Sequence, residues 1–570
     1  MKNTKISWLS LLALILGVST GCNSNTSTSE KISSSIKVST SSSSSSSIVS
    51  PYGARIEEDL NTLNIIDDNY RNYYEVFVYS FRDSNGDGYG DLNGVTEKLD
   101  YIKNLGYNGI WLMPIHKSLT YHKYDVIDYY TVDSKYGTME DLERLIDECH
   151  KRDINIILDM VFNHSSSSNQ MFIKSVGAYQ KYITYQDLTE EEEIYKDFYT
   201  FYETKEEIPS GVVCYQPAGK TFYYEANFDS KMPEFNCDNP HVREEYKKIL
   251  KFYLDKGVDG FRFDAVKYFY INDMNKNIEL LSEINTYVKS IKEDAYLVGE
   301  CWSGNSMVKE YYKSGFDSFF NFDTSTSNPS SYVLNSINRQ GSALSMYANG
   351  LVSNIELAGD YIPAPFIDNH DMPRFTPSLE NLRDTKYKYA LLTMLNGTTF
   401  TYYGSEVGMV GDNSGTKPDQ NVRLPMKWGE EDRHGDVNLQ LFREITKANY
   451  PHGTVKEQMD DEHSLYNFYK KCLLLRNQNP EIARGEVEQL VLEKTEDKRK
   501  LLFISKTYND SKIGIIFNFS PYYDLEINYK EQGFNEVVGQ LVVDSNENKY
   551  IGLLDNGNMY LPSYSIAIVK

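Results

Sequence analysis

The sequence predicts an α/β fold followed by a separate antiparallel β-domain, and three observations carry that prediction. Short apolar runs alternate with helix-patterned segments from Glu75 to about residue 485, the arrangement of a parallel sheet with helical crossovers. One connection, 165–240, is far longer than an ordinary strand-to-helix loop; it is polar and tyrosine-rich, and reads as an inserted domain that shapes a cleft. From 486 to 570 the pattern changes to short alternating segments such as LLFISKTY and KIGIIFNFS, which read as an antiparallel β-sandwich.

The run EVFVYSF, Glu75 to Phe81, reads as the first buried strand. Val95, Leu99, Ile102 and Leu105 then share one helical face, and Gly106 supplies the stop. GIWLMPI, Gly109 to Ile115, is the second strand. Thr138, with Asp141 three residues on, opens a helix whose apolar face is Leu142, Leu145, Ile146 and Cys149. INIILDMV, Ile154 to Val161, is the third strand. Beyond the insert come Asp259 to Phe263, Tyr296 to Gly299, Phe316 to Phe322, Pro365 to Asn369 and Thr398 to Tyr403. The alternation alone allows roughly six to nine strands. Eight would close a (β/α)8 TIM barrel over 71–164 and 241–485, with the insert after strand 3.

With 570 residues, 40% of them hydrophobic and 14% aromatic, the chain has the apolar material for a large core and more than one domain. Its formal net charge of −23 is spread along the sequence, which argues against nucleic acid or another polyanion and for a neutral substrate or a cation. Lys2 and Lys5 precede an apolar run from Trp8 to Val18, too short to span a bilayer but right for a signal peptide. The run ends in Ser19-Thr20-Gly21-Cys22, which resembles a bacterial lipobox. Residues 1–22 therefore read as a lipoprotein signal peptide with lipidation at Cys22, the alternative being a plain secreted protein. Residues 23–70 read as a Ser-rich flexible tether between the membrane anchor and an extracellular domain. Cys149, Cys214, Cys237, Cys301 and Cys472 are scattered and odd in number, which favours neither a disulfide framework nor a zinc site, with a Cys214–Cys237 bridge as the alternative.

On a barrel every strand delivers its C-terminal end to the same face. Those ends carry Asp159, Asn163 and His164 in DMVFNH, Arg262 and Asp264 in GFRFDAVKY, Glu300 in LVGE, and Asn369, His370 and Asp371 in DNHD. A single acid after a strand is ordinarily a helix cap, but four polar clusters at four strand ends exceed what capping explains. Converging carboxylates suit glycoside hydrolysis, in which one acid protonates the leaving oxygen and a carboxylate opposite attacks or stabilises the anomeric carbon. In DSNGDGYGD, Asp83, Asn85, Asp87 and Asp91 fall at alternate positions with glycines that let the loop curl. Hard oxygen donors at this spacing suit a structural Ca²⁺. The loop is not an EF-hand, because Gly94 stands where that motif needs Glu, and an ordinary Asp/Gly turn is the alternative.

DMVFNH, GFRFDAVKY, VGE and FIDNHD, in this order and spacing, resemble the signature regions of the α-amylase superfamily of glycoside hydrolases (glycoside hydrolase family 13), and the resemblance covers Asn72 to Lys570. It implies eight barrel strands, Asp264 as nucleophile, Glu300 as general acid/base, and Asp371 as the residue holding the sugar 2- and 3-hydroxyls. It also implies that Arg262, His164 and His370 surround the sugar at the cut. Tyr124 in YHKYD would stack on that sugar, flanked by His122 and Asp125; Lys267 would contact the sugar beyond; the Tyr89 carbonyl would join the calcium loop. Arg374 and Arg423 read as cleft residues, with surface salt bridges as the alternative.

MPEFN, Met232 to Asn236, resembles a fifth family signature but departs from it at Glu234 and Phe235. Ala265 stands where relatives cutting α-1,6 bonds carry Val, and Tyr121 where exo-acting glucosidases carry Asp. Ala265 favours α-1,4 cleavage and Tyr121 endo action, that is, an α-amylase on starch and maltooligosaccharides; the chain is further expected to be a monomer at the cell surface. Tyr268 replaces the family's His, which alters the leaving-group side and argues against a second calcium site. The alternatives are a neopullulanase-, cyclomaltodextrinase- or oligo-1,6-glucosidase-like enzyme and, from another class, a non-catalytic starch-binding surface protein. The three intact acids stand against the last.

Overall fold

The computed structural model describes residues 53–570 apart from 57–63, 65, 338–342, 377–381, 415–417, 430–436, 438–446, 493–499 and 545–548. The signal peptide, Cys22 and most of the tether lie outside the described residues. Eight parallel strands, β1 (Asn72–Val76), β2 (Gly109–Leu112), β3 (Asn155–Met160), β4 (Gly260–Phe263), β5 (Tyr296–Gly299), β6 (Ser318–Asn321), β7 (Ala364–Pro365) and β8 (Thr399–Tyr402), pair in chain order. β8 returns to β1, with Tyr402 opposite Glu75, and a single parallel bridge between Phe366 and Phe400 joins β7 to β8. The sheet is thus a closed barrel, filled by stacked side chains. Tyr73 lies between Tyr296 and Phe400 at 5.3 and 5.1 Å, with Trp111, Ile157, Val298, Phe320 and Phe366 around it.

A helix follows each strand: α1 (Leu99–Leu105), α2 (Met139–His150), α3 (Pro240–Leu254), α4 (Met274–Ile291), α5 (Asn305–Tyr311), α6 (Ala343–Ala358), α7 (Leu382–Thr393) and α8 (Leu465–Gln478). Local chemistry sets their ends. Gly106 closes α1 in the left-handed region, φ 104°, where a side chain would be strained. Thr138 and Asp141 open α2 with the expected reciprocal capping box. Asn239 caps α3, with Pro240 at its first position.

Two expectations about extent are corrected. The first strand was expected over Glu75 to Phe81 but runs from Asn72 to Val76, and Val78–Phe81 forms a helical turn across the barrel mouth. Both stretches are buried, so an apolar run there does not distinguish strand from turn. The tether, expected to reach residue 70, contains structured residues. Ala54–Arg55 pairs antiparallel with Gly552–Leu553, and Asp68 binds Arg484 at 2.6 Å. The low-complexity composition ends near Ser50, and the mixed sequence beyond it carries Ile56, which packs on the sandwich core.

The insert after β3 contains two helices, Gln170–Ile183 and Glu190–Tyr195, and a three-stranded sheet of Phe201–Tyr202, Tyr223–Glu225 and Cys214–Tyr215. The C-terminal domain is a two-sheet sandwich. One sheet orders β9 (Glu486–Leu490), β10 (Leu501–Tyr508), β11 (Ser511–Asn518), β16 (Ser565–Val569) and β13 (Val537–Val542). The other orders Ala54–Arg55, β14 (Gly552–Leu553), β15 (Met559–Leu561) and β12 (Leu525–Ile527). Cys214 and Cys237 are both free, as are Cys149, Cys301 and Cys472, so no bridge joins them. Among the described residues no helix is long and apolar enough to cross a membrane.

Candidate active site

The barrel pleat explains how one short strand supplies two polar groups. Along β4, Phe261 and Phe263 alternate with Arg262, so Arg262 and Asp264 share the inward face. Arg262 has no exposed surface. Its Nη1 donates to Asp159 Oδ1 on β3 at 2.8 Å and to Asp264 Oδ1 at 2.6 Å, and its Nη2 lies 2.9 Å from Glu300 Oε2 at the end of β5. Ala265, at φ 48° in the left-handed region, turns the chain so that its amide donates to the same Glu300 Oε2 at 3.1 Å.

The loop after β7 supplies the opposite wall. His370 is fully buried, with Nδ1 2.6 Å from Glu75 Oε1 and Nε2 2.7 Å from the Tyr124 hydroxyl and 3.1 Å from Asp371 Oδ2. Tyr124 stacks on the His370 ring and donates its hydroxyl to Asp159 Oδ2 at 3.0 Å. Arg423 Nη2 donates to Asp371 Oδ1 at 2.8 Å, and Arg423 Nε to the His370 carbonyl at 2.9 Å.

This arrangement separates the acids electrostatically. Burial pushes Glu300 up to about 7, with the Arg262 charge opposing and Asp264 and Asp371 adding to the rise. Burial also raises Asp264, to about 6, against the pull of Arg262. Asp371 goes the other way: despite burial, His370 and Arg423 hold it well below the usual carboxylate range. His370 itself, although burial opposes its charge, is raised to about 10 by Asp371 and Glu75. His122 and His164 are both driven down to about 4 by burial and are neutral.

These groups open onto a cleft of about 590 Å³ whose lining includes His122, Tyr124, His164, Asp264, Glu300 and Asp371. Lys267, Tyr268, Trp302 and Phe228 lie along one part of the wall, and Arg423 and Asp419 along another. Asp419 and Glu75 were not foreseen. Asp419 accepts from the Tyr121 hydroxyl and follows a segment with no periodic pattern; Glu75 reads in sequence as the start of a core strand.

Four expected substrate-contacting residues do not line it: Arg262 and His370, which have no exposed surface and sit behind the carboxylates that do, and Arg374 and Asp125. Arg374 is buried under the floor, stacked on Tyr402 and Tyr403, and donates to the Val422 and Tyr403 carbonyls at 3.0 and 2.7 Å. Its local aromatic and carbonyl partners outcompete the cleft. Asp125 is likewise buried and is held by the Ser118 and Thr120 hydroxyls.

The insert reaches the cleft through residues 228–232, whose base is pinned by Asn227. Its amide donates to Glu225 Oε1 at 3.2 Å and to Glu234 Oε2 at 2.8 Å. Burial and the Glu225 charge push Glu234 up to about 8. On the leaving-group side, Asn163 Nδ2 donates directly to the Tyr268 carbonyl at 2.6 Å.

In the 83–91 loop, Asp83 accepts from the amides of Asn85, Gly86 and Gly88; Asp87 accepts from Tyr89, and Asp91 from Ser84 and Gly94. Gly86 and Gly88 take positive φ, 81° and 93°, which lets the loop curl. Its donors are all oxygens, and these hydrogen bonds leave lone pairs on every carboxylate, so the chemistry fits a hard cation. The acids are spread around the loop; among the described residues no three or more His, Cys, Asp or Glu converge on one point.

The family description "Alpha amylase, catalytic domain" matches residues 75–485. The chain is 40% identical over 464 residues to "Alpha-amylase 3" of Dictyoglomus thermophilum, covering 79% of this chain and 85% of that protein. It is 29% identical over 463 residues to a "4-alpha-glucanotransferase" of Thermotoga neapolitana, covering 78% of this chain and 95% of that protein. Among solved structures, Eubacterium rectale Amy13B superposes with a TM-score of 0.80 at 38% identity, over 90% of this chain and 97% of that one. The converging acids, the barrel that carries them and these matches together establish that the chain belongs to the α-amylase catalytic-domain family and is a glycoside hydrolase.

Proposed function

We propose that this hydrolase is a retaining, endo-acting α-amylase cutting α-1,4 bonds of starch and maltooligosaccharides. The observation that supports it most directly is the common anchor of Asp264 and Glu300 on one guanidinium, at 2.6 and 2.9 Å. That anchor favours the short carboxyl separation of a double displacement over the wider gap that holds an inverting water. Asp264, ionised, attacks the anomeric carbon while Glu300 gives its proton to the departing glycosidic oxygen. Glu300, now a carboxylate, takes a proton from the water that releases the glycosyl ester. Asp371 holds the ring hydroxyls with buried His370 behind it, Tyr124 supplies the stacking face, and His164, with an unpartnered Nε2 at the cleft, is a further hydroxyl contact.

Asp264→Asn and Glu300→Gln are each expected to lower turnover on amylose by orders of magnitude. A product time course then distinguishes the specificities. Early maltooligosaccharides of mixed length support endo-hydrolysis; isomaltose cleavage without starch cleavage sinks the reading, and longer glucans built from maltotriose indicate a transferase.

The 83–91 loop is proposed to hold a structural Ca²⁺, which would tie down the first strand-to-helix connection; its all-oxygen donor set supports this. The protein is further proposed to act as a monomer and to be anchored outside the cell through lipidated Cys22; the N-terminal sequence supports the anchor. Palmitate labelling in the native host, abolished by Cys22→Ala, is the expected outcome; labelling that survives the substitution refutes it.

A further inference from the structure

Glu75 lies beneath the cleft and touches no group assigned to the reaction except His370. It sits on the inward face of β1, two residues after Tyr73, and its carboxylate is 1% exposed. Hydrogen-bond accounting at His370 fixes that ring's charge. Nδ1 faces the Glu75 carboxylate at 2.6 Å, which only accepts when ionised. Nε2 faces the Asp371 carboxylate at 3.1 Å and the Tyr124 oxygen at 2.7 Å, and the Tyr124 proton is engaged by Asp159 at 3.0 Å. With Glu75 and Asp159 ionised, both ring nitrogens donate, a condition met by the imidazolium.

We propose that Glu75 is a positioning residue that holds His370 doubly protonated, so that His370 in turn keeps Asp371 ionised and aims Tyr124 at the cleft. This inference deepens the hydrolase reading above and rests on it. Without the Glu75 charge, a fully buried imidazolium would face Asp371 as its remaining adjacent carboxylate, and burial favours the neutral ring. The other charged or titratable groups packed around the pair are Arg262, Asp159 and Arg423, with Tyr402 opposite Glu75 on β8. The two arginines oppose charge on His370; Asp371 is its strongest counter-ion, Glu75 the second, and Asp159 and Glu300 lie within its field.

The test is Glu75→Gln, which keeps the shape and an acceptor for Nδ1 but removes the charge. At pH 5 His370 stays protonated in both proteins, and the variant retains much of its kcat/KM on maltoheptaose. By pH 8 the ratio of variant to native kcat/KM is expected to fall at least tenfold further, while the melting temperature moves little. In ¹⁵N spectra at pH 8, with the His370 signals assigned by their loss in His370→Asn, the native ring is expected doubly protonated and the variant ring neutral. A ratio flat across pH, or a neutral His370 ring in the native enzyme at pH 8, overturns the proposal; the second measurement stands even where the variant does not fold. Undiminished turnover in Asp264→Asn would instead overturn the hydrolase reading and leave the charge state of His370 as measured.

Discussion

Arg262 touches three carboxylates, has no exposed surface and cannot shed its proton, so the acids around it must divide one positive charge among themselves. That division sets the pH response. Asp264, raised to about 6, must be ionised to attack, so activity falls as pH drops through that value. Glu300, raised to about 7, must carry its proton, so activity falls as pH rises through that value. The kcat/KM profile of the free enzyme is therefore expected to be a narrow bell with its maximum between about pH 6 and 7, its limbs belonging to the coupled group as a whole. Residual activity in Glu300→Gln should lose the alkaline limb; a profile flat from pH 5 to 9 would refute the assignment. Asp264 and Glu300 stood out in the sequence because each follows directly on a short apolar run, and Asp371 because it closes FIDNHD, whose resemblance to a family signature marks it. Glu75 was not legible, since an acid opening the run EVFVYSF looks like an ordinary strand terminus. Arg374 misled for the opposite reason: an arginine in a polar motif reads as a cleft residue, and only the folded chain reveals the tyrosine rings beneath it.

At the scale of elements, strand-end geometry was better predicted than strand extent. Barrel strands are buried on both faces and lack a two-residue alternation, so their limits come from where the chain must turn, which is a tertiary matter. Thus β1 ends at Val76, although the apolar run continues to Phe81, and β7 is only the pair Ala364–Pro365 in a segment expected to reach Asn369. Capping was more readable, because the Thr138–Asp141 box and Gly106 act through the nearest few residues. The 83–91 loop is also local, and its prediction follows from its hydrogen bonds. If it holds Ca²⁺, chelation should leave three acids repelling one another in the loop that leads into the helix Leu92–Glu97, which Asp91 caps, and lower the melting temperature by several degrees, reversibly on adding Ca²⁺. Asp87→Ala, which changes an exposed side chain, should abolish that calcium-dependent shift; a melting temperature insensitive to chelator would refute the site.

Across the whole molecule, the β-sandwich docks on the barrel through buried polar contacts that no composition statistic would reveal. Lys506 on β10 is wholly buried and donates to the Met394 and Ile482 carbonyls and Asn396 Oδ1, at 2.8, 2.6 and 2.7 Å. Burial drives its pKa down, with Arg476 adding to the effect, while three acceptors call for all three ammonium protons. Lys506→Ala would strand those acceptors at about 1–3 kcal/mol each before relaxation, so a loss of several degrees in melting temperature is expected with the kcat of the folded protein unchanged. An unaltered melting temperature would show the contact to be dispensable. The same contacts bear on β7, the shortest stave of the barrel, which meets β8 through the Phe366–Phe400 bridge. The chain entering β8 is held by Asn396 Nδ2 on the Gly485 carbonyl and by the Gly397 amide on the Ala483 carbonyl, beside Lys506. The sandwich therefore works like the hoop on a cask: it tightens the one seam where the staves barely meet, and shortening the gene from its 3′ end would loosen the vessel as well as remove its appendage.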